Sequence, residues 1–144
     1  MSMRLSNLGE TVIKFFEELV LVAYPDSGGI WTCGWGHTGK EVEKGTTCTP
    51  GGAEIWFLSD VKEAVDAVNS LVKVELKQIQ FDALVSFTFN DGVKAFESST
   101  LLKLVNSYQF EYAGAQFLEW VHVKGQVNKG LVKRRTLEQA LFLS

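Results

Sequence analysis

The stretch FFEELVLVAYPDSGGIWTCGWGH, residues 15–37, decides how this chain folds. An apolar segment carries two adjacent glutamates, Glu17 and Glu18. A Pro-Asp-Ser-Gly-Gly cluster then breaks it, and it finishes in a Gly-rich run with Thr32 and His37. Upstream, residues 7–20 predict a helix. Leu8, Val12, Phe15, Phe16 and Leu19 fall on one stripe at helical spacing, with Ile13 and Val20 beside it. Asn7 with Glu10 three residues later has the form of a capping box. At about 100° per residue, Glu17 points away from the stripe. Downstream, residues 25–29 mark a turn. IWTCGWGH then alternates, with Trp31, Cys33 and Trp35 on one face and Thr32, Gly34 and Gly36 on the other, which is strand periodicity.

The flanks of this stretch are helical. Thr49-Pro50 opens a helix over residues 50–68, with Thr as cap and Pro at the first position. Its apolar positions are Ile55, Leu58, Val61, Val65 and Val68. Further helices are expected over 77–90, 98–106, 109–122 and 132–142. The expected architecture is α+β and mostly α, one domain over residues 1–144. It comprises a first helix (7–20), a small β-lobe (21–48), a long inter-lobe helix (50–68) and a helical lobe (76–144), with a groove between the lobes.

Composition narrows the function classes. The chain has 144 residues, 46% apolar and 22% charged, enough for a core without staples. A net charge of −3 argues against a binder of duplex nucleic acid, whose affinity rests on neutralising phosphates. Residues 124–135 hold five Lys or Arg and no acid. A solvated basic face is the expected reading, ahead of contact with an anionic polymer or a nucleic-acid arm. Cys33 and Cys48 fit no zinc spacing. Buried free thiols are expected, a single bridge in an oxidising compartment being the alternative. The N-terminal segment is too charged for a secretory signal, and no uncharged run reaches membrane-spanning length, so the chain is expected in the cytoplasm.

Three residues of the opening stretch carry chemistry. Glu17, at a helix end beside Ile13 and Val20, meets the negative end of the helix dipole and apolar neighbours. Both disfavour its charged form, and a carboxyl that keeps its proton is what a general acid needs. Asp26 sits in the turn, where an exposed carboxylate stays ionised and serves as a base. Two carboxyls in unlike environments are the working parts of a glycosidase. Thr32 lies on the bare, Gly-lined face of the strand, its hydroxyl within reach of a water near Asp26. Each also has a plainer reading: a solvated helix residue, a turn former and a β-former.

Together these residues resemble the active-site signature of the phage-type lysozymes, the endolysins of tailed phages. That signature is a Glu ending the first helix, eight residues, Asp, five residues, Thr, and then Gly-x-Gly-His. Here it is Glu17, Asp26, Thr32 and Gly34-Trp35-Gly36-His37. AYPDSGGIWTCGWGHTGK resembles the lambdoid branch. GTTCTPGGAE, QFDALVSFTFNDG, STLLKLVN and FLEWVHVKGQVNKGLVKRRTLEQALFLS are similar to family segments in the same order, nearly to the end of the chain.

The resemblance implies a muramidase that cleaves the β-1,4 bond between N-acetylmuramic acid and N-acetylglucosamine in peptidoglycan, with inversion. Glu17 would be the acid, Asp26 the base or electrostatic partner, and Thr32 the holder of the attacking water. No metal or cofactor is implied. The alternative is a non-catalytic peptidoglycan-binding module on the same fold. Phe89 and Asn90 match positions that line the sugar groove; core packing is the plainer reading of Phe89, and the Asn90 amide suits an acetamido group. His37 and Asp60 match a pair tying the β-lobe to the long helix. One of Arg134 and Arg135 matches an Arg that reaches the catalytic Glu, the other being expected at the surface. Of the tryptophans, Trp31 and Trp35 stand nearest the signature. The family also implies a monomer that waits in the host cytoplasm until a holin opens the membrane, then acts on the periplasmic wall without inserting into membrane or binding nucleic acid. The chain departs from the family pattern at Glu18, where Gly is usual, at Cys33, where Ile is frequent, and at Asp91, where an apolar residue is usual.

Overall fold

In the computed structural model, residues 2–144 are described. The first helix, α1 (Asn7–Glu17), is capped by Ser6 rather than Asn7. Ser6 Oγ accepts from Gly9 N at 3.1 Å. Buried Asp82 fixes the cap by accepting from the Ser6 amide at 3.1 Å and from its hydroxyl. The buried face of α1 is Gly9, Val12 and Ile13, while Leu8 and Phe15 of the expected stripe are 52% and 71% exposed. Gly9 explains the rotation. A Cβ there would lie 2.9 Å from Asp82 and 2.5 Å from Leu5, so only glycine lets this face close on its neighbours.

α1 stops at Glu17, three residues short of the expected end, because Glu18 takes φ +56° and ψ 150°. The chain turns into strand β1 (Val20–Pro25), which pairs antiparallel with β2 (Trp31–Gly34). Val20 faces Gly34 and Tyr24 faces Thr32, with an irregularity between them. The alternation expected through His37 ends at Gly34. Gly34 and Gly36 have φ of +72° and +77°. Cys33 and His37 exchange two backbone bonds of 2.9 Å, closing a tight loop in place of more strand. The Cys33 and Cys48 sulfurs lie 3.4 Å apart as free thiols. Burial, and then its neighbour Cys33, push the Cys48 thiol up to about 11.

α2 (Pro50–Leu71) follows, its Thr49 cap accepting from Gly52 N at 3.0 Å. It buries Ala53, Phe57, Val61, Ala64 and Val68. Ile55 and Leu58, expected on the core face, are 70% and 54% exposed. The buried line starts from Ala53 and Phe57, where α2 meets β2 and α3. α3 (Gln78–Asp91) is the axle of the helical lobe, buried continuously from Gln80 to Thr88. Its buried polar groups are all partnered. Gln80 accepts from the Lys77 amide at 2.8 Å, Thr88 donates to Leu84 O at 2.8 Å, and Ser86 donates to Glu138 at 2.5 Å.

The remaining elements are α4 (Val93–Glu97), α5 (Thr100–Asn106), α6 (Phe110–Gln116) with a 3-10 turn (Phe117–Glu119), strands β3 (His122–Val123) and β4 (Gln126–Val127), and α7 (Lys129–Leu143). Sequence periodicity had no signal for α4 or for the hairpin. The helix expected over 109–122 therefore ends early. Lys124 and Gly125 both have positive φ, +50° and +79°, which sets the tight hairpin turn. The helix expected from residue 132 starts at Lys129, because Asn128 Oδ1 accepts from Leu131 N at 2.9 Å. The basic stretch divides: Lys124, Lys129 and Lys133 are exposed, whereas Arg134 and Arg135 are buried. The β-lobe and the helical lobe thus stand on either side of α2. No helix among the described residues is long and apolar enough to cross a membrane.

Candidate active site

Glu17 is the last residue of α1 and lies at the junction of the two lobes, not out in solvent. Its side chain is 15% exposed, and Arg134 Nη1 donates to Oε2 at 2.5 Å. The other oxygen rests against the loop at Gly36. A Cβ at that position would stand 2.1 Å from Glu17 Oε1, so only the bare backbone leaves room. The Arg134 guanidinium lies 5.5 Å from the Phe16 ring centroid, which packs it from the α1 side.

Arg134 belongs to a buried set of charges. Its Nε donates to Glu138 Oε2 at 3.2 Å, and Nη2 donates to Ser86 O at 3.2 Å. Arg135 Nη1 donates to Glu138 Oε1 at 2.7 Å, Nε donates to Trp120 O at 3.0 Å, and Nη2 bonds both Asn90 Oδ1 and Asp91 Oδ2. The expectation that one arginine would be at the surface is overturned: Arg135 is fully buried, as is Glu138. The spacing of Arg134 and Arg135 to Glu138, four and three residues on one helix, is the signal that would have disclosed the set. Burial and charge pull Arg134 in opposite directions. Burial lowers it, but Glu17 and Glu138 prevail, so it is raised and stays charged.

Asp26 occupies the opposite kind of environment. It is exposed in the turn after β1, with Oδ1 accepting from Gly28 N at 2.9 Å and Ile30 N at 2.8 Å. These local bonds hold the carboxylate through Oδ1. Thr32 is buried on β2, and its hydroxyl donates to Ile30 O at 2.9 Å. Its proton is thereby committed, and the oxygen lone pairs remain as acceptors. Tyr24, opposite Thr32 on the ladder, ties the two acids to one region. Its phenol is pushed up by partial burial and then by the charges of Glu17, Asp26 and Glu18. Sequence reasoning passed over Tyr24 because a strand Tyr is ordinary.

A cavity lies beside the end of α3. Phe89 packs half-buried on Phe57, ring centroids 5.6 Å apart, and also lines this cavity of 160 Å³ with Gly36, Thr38, Asp60, Gly92 and Val93. Asn90 is exposed, with its carbonyl oxygen held by Arg135 and its amide N–H groups open. His37 binds Asp60 Oδ2 through Nδ1 at 2.7 Å, binds Glu41 through Nε2, and stacks on Trp56 at 4.4 Å. Burial lowers the imidazole, but the bonds to Glu41 and Asp60 outweigh it, so His37 is raised. Trp35 packs against the core under Lys14 Nζ, 5.1 Å from its ring, and Trp31 is half-buried beside Pro25.

The chain matches the family described as phage lysozyme over residues 14–138. It is 43% identical to an endolysin of Bacillus phage B103 over 144 residues, covering 99% of this chain but 55% of that protein. It therefore spans about half the length of that relative. It is 42% identical to the endolysin of Salmonella phage P22 over 146 residues, covering 99% of both. Among solved structures, the muramidase domain of SpmX from Asticaccaulis excentricus superposes with a TM-score of 0.85 at 38% identity, over 98% of each chain.

Proposed function

Because the chain belongs to the phage lysozyme family, we propose that it is a muramidase that hydrolyses the β-1,4 bond from N-acetylmuramic acid to N-acetylglucosamine in peptidoglycan. Residues 1–144 act as one catalytic domain. The observation that carries this reading is the seat of Glu17: one oxygen against the Gly36 backbone, the other on Arg134, at the lobe junction beside Tyr24 and the Asp26 turn.

In this mechanism Glu17 protonates the leaving glycosidic oxygen. Asp26 Oδ2 removes a proton from the attacking water. Thr32 Oγ1 accepts a hydrogen bond from the water's other O–H, which stays on the new anomeric hydroxyl, since the threonine's own hydrogen is donated to Ile30 O. The water attacks from the face opposite the leaving group and the anomer inverts, a geometry that calls for carboxyls about 6.5–9.5 Å apart. Asn90 donates to an acetamido carbonyl, and Phe89 forms the apolar wall of the sugar groove. The enzyme acts as a monomer on the periplasmic wall, reaching it from the host cytoplasm once a holin has opened the membrane.

Clearing of purified sacculi tests the proposal. Wild-type protein is expected to solubilise them, releasing reducing ends with inverted configuration, and Glu17→Gln is expected to lose about 10²–10⁴ of the rate with unchanged circular dichroism. Equal clearing by both removes Glu17 from its role. Binding to sacculi without clearing by the wild type assigns the chain to the non-catalytic module instead.

A further inference from the structure

Asp91 is a half-buried acid beside the cavity that the mechanism leaves unused. It ends α3, one residue before Gly92 of the cavity, with its side chain 21% exposed. It pairs with Arg135, which pairs with Glu138, which pairs with Arg134, which holds Glu17. Five charges thus alternate in sign from the end of α3 to the end of α1, and the middle three are buried. We propose that Asp91 is a positioning residue for Glu17, acting through the Arg135–Glu138–Arg134 chain. The inference rests on Glu17 being the acid.

The direction of the effect follows from sharing. Two guanidinium groups serve three carboxylates. While Asp91 is charged it draws on Arg135, so Glu138 leans more on Arg134, and Arg134 has less to give to Glu17. Neutralising Asp91 frees Arg135 for Glu138 and Arg134 for Glu17, which favours the ionised form of Glu17. The direct field acts the same way, since a negative charge removed nearby favours ionisation. Arg134 Nε to Glu138, at 3.2 Å, is the longest of the four ion pairs that join these five groups.

The groups facing Asp91 are Arg135, Glu138 and Arg134 of α7. Lys94 of α4 and Glu119 of the 3-10 turn are exposed and pair with neither Asp91 nor Arg135. Asp60 and Glu63 of α2 line the same cavity from its other side. Burial pushes the Asp91 carboxyl up to about 6, against the pull of Arg135. The device therefore switches within the range in which a wall hydrolase is assayed.

Asp91→Asn tests it, because Asn keeps an oxygen for Arg135 while removing the charge. The kcat profile against pH is measured for wild type, Asp91→Asn, Asp91→Glu and Glu17→Gln on soluble glycan. The wild-type and Asp91→Asn profiles are expected to coincide below about pH 6. Above it, the alkaline limb of Asp91→Asn falls about half a pH unit earlier, with KM unchanged. Asp91→Glu restores the wild-type limb. A parallel loss at every pH, or an unmoved limb, assigns Asp91 a structural role only and overturns the proposal. NMR titration of the wild-type carboxyls gives an independent reading: Glu17 is expected to show a second inflection where Asp91 titrates, and a single inflection overturns the coupling. If Glu17→Gln clears as well as wild type, the acid reading itself fails and this inference with it. If Glu17→Gln is dead and Asp91→Asn unshifted, only the inference fails.

Discussion

The two carboxyls of the site are held in opposite ways. Glu17 is fixed by partners far away in sequence, Arg134 from the last helix and the backbone at Gly36. Asp26 is fixed by its own turn, through the amides of Gly28 and Ile30. The seat of the proposed acid is thus a product of tertiary packing, and that of the proposed base a product of local geometry. A substitution that disturbs the core should reach Glu17 and leave Asp26 alone.

Arg134→Met breaks the comparison most severely. It leaves Glu138 buried without one of its two cations and Glu17 without its anchor. The expected cost is about 3–5 kcal/mol by denaturant unfolding, the range for breaking a buried ion pair by removing one partner. A cost below 1 kcal/mol would mean that water replaces the guanidinium. Gly36→Ala comes next. It forces a side chain into positive φ and against Glu17 Oε1, so clearing should fall about a hundredfold while stability falls by about 2 kcal/mol. Retained activity would show that Glu17 has another seat.

The imidazole of His37 contributes a pH-dependent tie between the β-lobe and α2. Its folded value is raised, so its stabilisation is complete below the usual histidine range and is lost as pH rises through the raised value. Glu41 is lowered by the same bond, so its share persists on going up and is lost in acid. The Tm difference between wild type and His37→Gln should therefore be larger at pH 6 than at pH 9, and an equal difference refutes the charged pairing. Glu18→Gly sharpens the contrast from the side of strain. Glu18 sits at φ +56° and ψ 150°, near a region that favours glycine, so the exchange should stabilise by about 1 kcal/mol in chemical denaturation. Asp26→Asn has the smallest effect on folding, below about 0.5 kcal/mol, because the Asn oxygen keeps both turn bonds, yet it should abolish most turnover. A large stability loss there would make Asp26 a structural residue.

The sites of difficulty in the sequence were of one kind. The caps at Thr49 and the turn at Asp26 were legible because they are made by residues a few positions apart. The stripes of α1 and α2 were misplaced, with Phe15 and Ile55 in solvent and Gly9 and Phe57 inside. Hydrophobic spacing identifies a helix, but which side is buried depends on what packs against it, and a glycine can win the core face by allowing close approach. The short α4 and the β3–β4 hairpin escaped because neither is long enough to show a period, although Lys124-Gly125 marks the turn.

By itself, the sequence determined the helical framework, the small β-lobe and the order Glu17, Asp26, Thr32, all of which depend on backbone hydrogen bonding and spacing along the chain. Only the tertiary structure decided that Arg134 and Arg135 are buried, that Glu138 links them, and that Glu17 rests between Arg134 and Gly36. Contacts across 117 positions carry no local period. They are selected by the free energy of placing charges where water is excluded, which falls within reach only when the opposite charges arrive together.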